Sequence, residues 1–231
     1  MGKPILLVSG DSWTDSNFES VHHPEMDTSW KKWPEILAEK LELNLVNVAF
    51  SGSGNQYIYS SLLDKIVELD NIALVIAGWS KGSRSDYEIG GIKRNIMHDS
   101  RGDIDYFIKR NLRLFYSLQT VCAYHNLPLK QFHMLHPHWH TIHGEDKHSK
   151  ESIDKRRLNN KKILLSNHYQ DKISDNFAGF PGDQDLGGWI IHDFLEDRER
   201  EDNKIYFISE LDRHPNKKGQ EKIAGLIHEN L

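Results

Sequence analysis

Short apolar runs and longer stretches of helical periodicity alternate along the chain. The apolar runs are Ile5–Ser9, Leu45–Ala49, Ala73–Ala77 and Leu129–Leu135. Helices are predicted at Trp30–Leu41, Gln56–Leu69, Tyr106–His125 and Lys217–Asn230. This β-loop-α order is typical of parallel sheets that carry helices on both faces. The pattern therefore predicts a three-layer α/β/α sandwich with a mainly parallel sheet, in which sites collect in loops beyond the carboxyl ends of the strands.

Two segments interrupt this alternation. Residues 83–105 are rich in Gly, Arg and Asp, and residues 144–200 combine a charged run with a Gly- and aromatic-rich stretch. Long insertions in compact domains are commonly lids or binding loops. We therefore predict one domain over residues 1–231, with both insertions as lids or substrate loops, and a solvated helix or loop for the charged run Glu145–Lys162.

Composition favours a soluble globular protein. Hydrophobic residues make up 38% and charged residues 27% of the chain, and its net charge of -5 gives no basic field for nucleic acid. No apolar run reaches the ~20 residues of a membrane helix, and the first run is too short for a signal peptide. The single cysteine, Cys122, allows no intramolecular disulfide. We expect a cytoplasmic protein that binds neither membrane nor nucleic acid.

Candidate chemistry lies near the two ends of the chain. The segment Gly10-Asp11-Ser12-Trp13-Thr14-Asp15 follows the first apolar run, and Asp212-Arg213-His214-Pro215-Asn216 precedes the last helix. A serine hydroxyl attacks an ester only when a base removes its proton, and histidine is the usual base. The alternative is that Asp11 or Ser12 caps a helix.

These segments resemble the SGNH hydrolases, also called the GDSL esterase/lipase superfamily, which implies a flavodoxin-like sheet. The resemblance implies that Ser12 is the nucleophile and that its N–H belongs to the oxyanion hole. A second block, Asn47-Val-Ala-Phe-Ser-Gly-Ser-Gly-Asn55, resembles the block in which the family places an oxyanion glycine. Gly52 fits by its spacing from Asn47, and Gly54 is the alternative.

The third and last blocks depart from the family pattern. Where the family has Gly-x-Asn-Asp, this chain has Gly78-Trp79-Ser80-Lys81, so Ser80 stands in place of the asparagine that donates to the oxyanion, with Asn55 as an alternative donor. The family's acid lies three residues before the histidine, where this chain has Leu211. Asp212 is the nearest carboxylate and Glu210 the alternative, while His214 is the implied base.

Histidines are concentrated after the fourth apolar run, and His136, His138 and His140 share a period of two. They are predicted to line the cleft and bind substrate hydroxyls, although three imidazoles on one face also suit zinc. For Trp139, Phe177, Phe180 and Trp189, stacking on a sugar or acyl group and packing in a local core are both open. The residues predicted to bind substrate are Asp11, Trp13, Trp79, His136, His138 and Trp139.

The sequence leads to three functional hypotheses. The first is a serine ester hydrolase that needs no cofactor or metal, forms an acyl-enzyme and removes small acyl groups from carbohydrate. The second is a catalytically weak binding or structural protein, for which a phage-associated role on the virion is one option. The third is a metal-dependent hydrolase that uses the segment His133–His143. A small-molecule or glycan ester is the expected partner, and the oligomeric state is left open.

Overall fold

The computed structural model describes residues 2–97, 99, 101–137, 150–196 and 205–231, with the side chains of 150–157 and 184 also outside the description. The central sheet has the order β2-β1-β3-β6, and all of its neighbouring strands are parallel. The strands are β1 (Ile5–Ser9), β2 (Asn44–Asn47), β3 (Ile72–Trp79), β4 (Ser85–Ile89), β5 (Ile92–Ile96) and β6 (Leu129–His133). The helices are α1 (Trp33–Lys40), α2 (Asn55–Glu68), α3 (Ile104–Tyr124), α4 (Lys150–Leu165), α5 (Ile191–Leu195) and α6 (Lys217–His228).

Helices cover both faces of the sheet because successive side chains of a strand point to opposite sides. Leu6 and Val8 of β1 pack with residues of α1 and α6, whereas Leu7 packs with residues of α2 and α3. All three side chains are fully buried. The predicted α/β class with its mainly parallel sheet is confirmed, and the four predicted strands are those of the sheet.

The first insertion contains an antiparallel hairpin, β4 and β5, that the sequence analysis did not predict. Gly90 and Gly91 form its turn with φ values of 59° and 77°, a conformation that costs glycine little. Ile89 and Ile92 flank this turn. An adjacent Gly-Gly pair between alternating apolar positions is a hairpin signal, so the sequence did contain this element.

The second insertion covers the outer edge of β6. The N–H of Gln131 donates to the carbonyl of Asn176, and the N–H of Ala178 donates to the carbonyl of Gln131, each over 2.7 Å. The insertion thus satisfies backbone groups that an edge strand would leave open. Part of the charged run forms the helix α4, which is one of the two structures predicted for it. That residues 1–231 form a single domain stays a prediction.

Cys122 lies in α3 and is buried. Burial raises the pKa of its thiol to about 12, so the thiol is not a nucleophile near neutral pH. Among the described residues, no helix combines the length and apolarity needed to cross a bilayer.

Candidate active site

Ser12 lies in a tight turn directly after β1. The N–H groups of Thr14 and Asp15 donate to the carbonyl of Asp11 over 2.9 and 3.0 Å. A Cβ on Gly10 would lie 2.3 Å from the Thr14 hydroxyl oxygen, so only glycine permits this turn. The sequence Gly-Asp-Ser-Trp-Thr therefore folds into a turn that leaves Ser12 half-buried at the carboxyl edge of the sheet.

His214 and Asp212 complete a hydrogen-bonded chain with Ser12. Ser12 Oγ is 2.8 Å from His214 Nε2, and His214 Nδ1 is 2.5 Å from Asp212 Oδ1. If Nδ1 carries the proton shared with Asp212, Nε2 is left as an acceptor for the Ser12 hydroxyl. The two distances also distinguish the candidate acids, because Asp212 contacts the imidazole and is buried, whereas Glu210 is exposed.

Asp212 is held ionised by its neighbours. Its Oδ2 accepts a hydrogen bond from Ser20, and its Oδ1 accepts the N–H of His214 over 3.1 Å. Burial alone would raise the pKa of Asp212, but the hydrogen bonds from Ser20 and His214 outweigh it and bring that pKa below its ordinary value. The site therefore holds a carboxylate, which orients and stabilises a protonated imidazole.

Phe18 and Ser20 were not found by the sequence analysis. The Phe18 ring lies 4.3 Å from the His214 ring, centroid to centroid, at an angle of 30°. Both residues are about 190 positions away from the histidine loop, and neither belongs to a motif. Their position in the loop that follows Ser12 is the only signal that pointed to them.

The loop between β2 and α2 is fixed to the Ser12 turn. Asp15 Oδ2 accepts the N–H of Ser51 over 2.8 Å and its hydroxyl over 2.7 Å. Asn47 Nδ2 donates to the carbonyl of Thr14 over 2.8 Å. The first and second sequence blocks are thus joined side by side by their own polar side chains, which brings Gly52 to the same edge of the sheet as Ser12.

Gly52 has a backbone N–H that is available to a ligand. In the described part of the chain, the N–H groups of Ser12 and Gly52 donate to no protein acceptor. The neighbouring donors are occupied, since Ser53 N–H donates to Phe50 and Gly54 N–H donates to Asp86. Gly52 has a φ of 83°, so the sequence-based preference for Gly52 over Gly54 agrees with this geometry.

Ser80 does not have the free hydroxyl that the sequence analysis expected. Ser80 is fully buried, and its Oγ donates to Asp11 Oδ2 over 2.6 Å. The same Oγ accepts from Arg84 Nη1 over 2.7 Å, and Arg84 also pairs with Asp11 at 3.2 Å. The single hydroxyl proton is therefore directed to Asp11, and the expectation that Ser80 donates to an oxyanion is corrected.

Asn55 is also committed to the protein interior. Its Nδ2 donates to the carbonyl of Ser80 over 3.3 Å and to Asn111 Oδ1 over 3.1 Å, and its Oδ1 accepts the N–H of Ser80 over 2.8 Å. An amide has two N–H bonds, and both are used here. The alternative oxyanion donor named from the sequence is therefore corrected as well.

Asn95, in β5, occupies the space beside Gly52 instead. A Cβ on Gly52 would lie 2.8 Å from Asn95 Nδ2. Among the described residues the Asn95 side chain makes no hydrogen bond. Its strand is held in place by Asp86, directly opposite in the hairpin, which accepts the N–H groups of Gly54 and Tyr57 over 2.7 and 3.0 Å.

Three of the six residues predicted to bind substrate are in the interior. Asp11 is fully buried against Arg84, Trp79 is fully buried with its Nε1 donating to Gln131, and Trp13 is 4% exposed. These three predictions are corrected, because side chains that pack in a core cannot contact a ligand. His136 belongs to a separate cluster, and His138 and Trp139 lie outside the described residues.

The aromatic residues of the second insertion pack against the protein. The Phe177 ring is 5.1 Å from the Phe115 ring, and the Trp189 ring is 5.6 Å from the Phe132 ring. Of the two interpretations left open by the sequence, local core packing applies to Phe177 and Trp189. Phe180 also packs against this core and is partly buried.

His133 and His136 have different surroundings. His133 is fully buried against the rings of Phe115 and Phe177, whereas His136 Nε2 is 2.6 Å from Asp193 Oδ1. His138, His140 and His143 lie outside the described residues. Within the described residues, the cluster whose atoms could hold a metal is His136, His192 and Asp193.

Comparison of the chain with known proteins gives structural likeness only. No protein-family model matches, and no curated protein sequence matches. A candidate lipolytic protein of the G-D-S-L family from Desulfitobacterium hafniense is 13% identical, with all of both chains covered and a TM-score of 0.49.

Two esterases give similar values. Esterase EstA from Pseudoalteromonas sp. is 12% identical over 98% of this chain and 95% of its own, with a TM-score of 0.46. A carbohydrate esterase family 2 enzyme from Corynascus thermopiles (Myceliophthora fergusii), which includes a carbohydrate-binding domain, is 13% identical over 99% of this chain and 65% of its own, with a TM-score of 0.47. Likeness at this level concerns the chain trace and carries no function.

Proposed function

We propose that this protein is a serine ester hydrolase that works through an acyl-enzyme. The proposal is carried by one observation, the continuous chain from Ser12 Oγ to His214 Nε2 at 2.8 Å and from His214 Nδ1 to Asp212 Oδ1 at 2.5 Å. Each group has the neighbour its role requires, since the nucleophile contacts the base and the base contacts a buried carboxylate.

The reaction follows from these contacts. Ser12 Oγ attacks the ester carbonyl carbon while His214 Nε2 takes the hydroxyl proton, and the carbonyl oxygen becomes an oxyanion. His214 then gives the proton to the departing alcohol, and the acyl group stays on Ser12. Water, deprotonated by His214, attacks the acyl-enzyme, and the carboxylic acid leaves as the Ser12 hydroxyl is restored.

For the oxyanion hole we propose the N–H groups of Ser12 and Gly52 together with the side-chain amide of Asn95. The two backbone donors are unoccupied in the described residues, and Asn95 Nδ2 lies beside Gly52. Preorganised donors of this kind stabilise negative charge that develops in the transition state. Asn95 would then supply the amide that Ser80 and Asn55 cannot offer.

For the substrate we propose small acyl groups on a hydroxylated alcohol such as a carbohydrate. A cavity of about 370 Å³ lies between α2 and the hairpin, and Asn95 is part of its lining. Polar side chains such as Gln56 and Asp64 line it, but most of its accessible surface is apolar, and Lys93 Nζ lies 3.7 Å from the centre of the Tyr57 ring. Polar groups with ring faces suit a sugar better than a long acyl chain.

Covalent labelling tests the nucleophile. Wild type should hydrolyse a chromogenic acetate ester and react with a fluorophosphonate probe. Ser12→Ala should lose labelling and lose turnover by roughly 10³-fold or more, because no other group in the chain of contacts can form the acyl-enzyme. Ser29→Ala, which alters an exposed serine, serves as control, and equal labelling of Ser12→Ala would refute the proposal.

Kinetics of Asn95→Ala test the third donor. We expect kcat to fall roughly 10²-fold with little change in KM, as is usual on removal of one oxyanion donor. Asn230→Ala, at the end of the chain, is the control for loss of an amide. An unchanged kcat would remove Asn95 from the hole. Faster hydrolysis of an octanoyl than of an acetyl ester would refute the short-acyl preference.

A non-catalytic binding protein is the second candidate. The side chains of Ser80 and Asn55 both donate hydrogen bonds within the protein, which leaves two backbone N–H donors for an oxyanion if Asn95 does not contribute. If wild type neither labels nor turns over ester yet binds acetylated glycan, this candidate is favoured. A role on a virion stays a prediction.

A further inference from the structure

Apart from Ser12, His214 and Asp212, a second group of ionisable side chains gathers around α5. His136 comes from the loop after β6, and His192 and Asp193 come from α5 itself. One ligand atom from each of these residues lies within 4.8 Å of the others. The proposed ester hydrolysis uses none of them.

Asp193 Oδ1 is the oxygen that both imidazoles of this group approach. His136 Nε2 is 2.6 Å from Asp193 Oδ1, and His192 Nδ1 is 3.9 Å from the same oxygen. Ligands bound tetrahedrally to zinc at 2.0–2.2 Å stand about 3 to 3.5 Å from each other. Binding an ion would therefore replace the direct hydrogen bond between His136 and Asp193 and move these two atoms apart.

Glu196 supplies a fourth ligand atom. It follows α5 four residues after His192, so the two side chains lie on the same face, and its Oε2 is 3.2 Å from His192 Nδ1. The other oxygen, Oε1, accepts from Arg213 Nη2 over 2.6 Å. Glu196 is thus held by a residue outside the group, as carboxylates at metal centres commonly are.

Asp193 gives an independent indication of a ligand. Its Oδ2 is buried and accepts no hydrogen bond within the described residues. A carboxylate oxygen that is buried without a hydrogen bond is costly unless a cation or another donor is present.

We propose that His136, His192 and Asp193, with Glu196 as fourth ligand, bind one divalent transition-metal ion of the zinc type. Two imidazoles and two carboxylates form a donor set that such ions accept, whereas Mg²⁺ and Ca²⁺ prefer oxygen alone. The ion would join α5 to the loop after β6, two segments that are far apart in sequence.

Its role is structural rather than catalytic. The His192 ring lies 5.5 Å from the ring of Trp13, which directly follows Ser12 in the chain and packs in the core. Arg213 joins Glu196 to the loop that carries Asp212 and His214. Metal loading should consequently stabilise the fold near the active site without taking part in the chemistry.

Calorimetric titration tests the site. Full-length protein without a histidine tag, stripped with chelator and dialysed, is titrated with ZnCl₂ at neutral pH. We expect one equivalent to bind, with a rise in melting temperature on loading. Co²⁺ in place of Zn²⁺ should give visible absorption of a tetrahedral site containing nitrogen ligands.

Variants locate the ion. His136→Asn and Asp193→Asn, which keep a polar side chain, should each weaken binding at least tenfold and abolish the melting shift, while His125→Asn, at an exposed position, should not. Circular dichroism establishes that each variant is folded. No binding by wild type, or unchanged one-to-one binding by both folded variants, overturns the proposal. Neither readout depends on esterase activity, so the two proposals fail separately.

Discussion

Within the described residues, two histidine–aspartate pairs have nearly equal lengths, and they differ in what surrounds them. His214 and Asp212 approach to 2.5 Å, and His136 and Asp193 approach to 2.6 Å. The first pair has a serine hydroxyl on its other imidazole nitrogen and a second donor, Ser20, on its carboxylate. The second pair has another imidazole, His192, beside it, and its buried Asp193 Oδ2 accepts no hydrogen bond from the part of the chain that the structure describes. We infer that the side chains beside each pair, rather than the pair itself, determine what the pair can do chemically.

The largest expected effect comes from neutralising Asp212, and the same change at Asp193 serves as the comparison. Asp212→Asn should lower kcat by roughly 10³- to 10⁴-fold, because the imidazole loses its orientation and the stabilisation of its charged form. Asp193→Asn should change kcat less than about threefold, since Asp193 does not contact Ser12 or His214. Initial rates on an acetate ester measure both, and a comparable loss in both variants would remove the distinction between the pairs.

Removing the Ser20 hydroxyl should leave Asp212 Oδ2 without this hydrogen-bond donor, which makes the first pair more like the second. In Ser20→Ala, Oδ2 of Asp212 loses its donor, and hydrogen bonds to charged groups contribute about 1.5–3 kcal/mol. We expect roughly tenfold lower kcat and a higher Asp212 pKa, so activity should begin to fall at a higher pH on the acid side. A pH–rate profile unchanged in shape would show that Ser20 does not support the carboxylate. Ser29→Ala is again the control.

The smallest effect concerns stability and pH. The pKa of Asp193 is about 2 in the folded protein against an ordinary value of 3.8, so the ionised group stabilises the fold at neutral pH by about 2 kcal/mol. This contribution is complete above the unfolded pKa and is lost as the pH falls through about 4 to 2. Urea unfolding should show Asp193→Asn less stable than wild type at pH 7, with the difference shrinking at pH 3. A constant difference would contradict this account.

The sequence predicted the elements whose signals are local. The strand Ile5–Ser9 is found with the same bounds, and Gly10 to Asp15 forms the expected turn, because both depend on residues that are close along the chain. The β4–β5 hairpin was not predicted, although the Gly90-Gly91 pair is a sequence signal for its turn.

Contacts between distant residues could not be predicted. The direction of the Ser80 hydroxyl depends on Asp11 and Arg84, and the support of Asp212 depends on Ser20, which is 192 positions away. Likewise, His136 was placed correctly beyond the fourth strand, but its partners on α5 come from an insertion without periodicity. Trp13 and Trp79 were predicted to contact substrate from their residue type alone, but both are buried in the core.

One cross-strand pair of the hairpin contacts the loop that carries Gly52 and the start of α2. Asp86 accepts the N–H of Gly54 at the start of α2, and the Asn95 side chain lies beside Gly52. Asp86 and Asn95 are directly opposite each other in the β4–β5 register. Both side chains therefore share one face, and a shift of a single residue in pairing would turn both away together. An added Cβ at Gly90 or Gly91 meets no other atom within 4 Å, so the tip of the hairpin is the place where its length can be changed with the least effect on that pair.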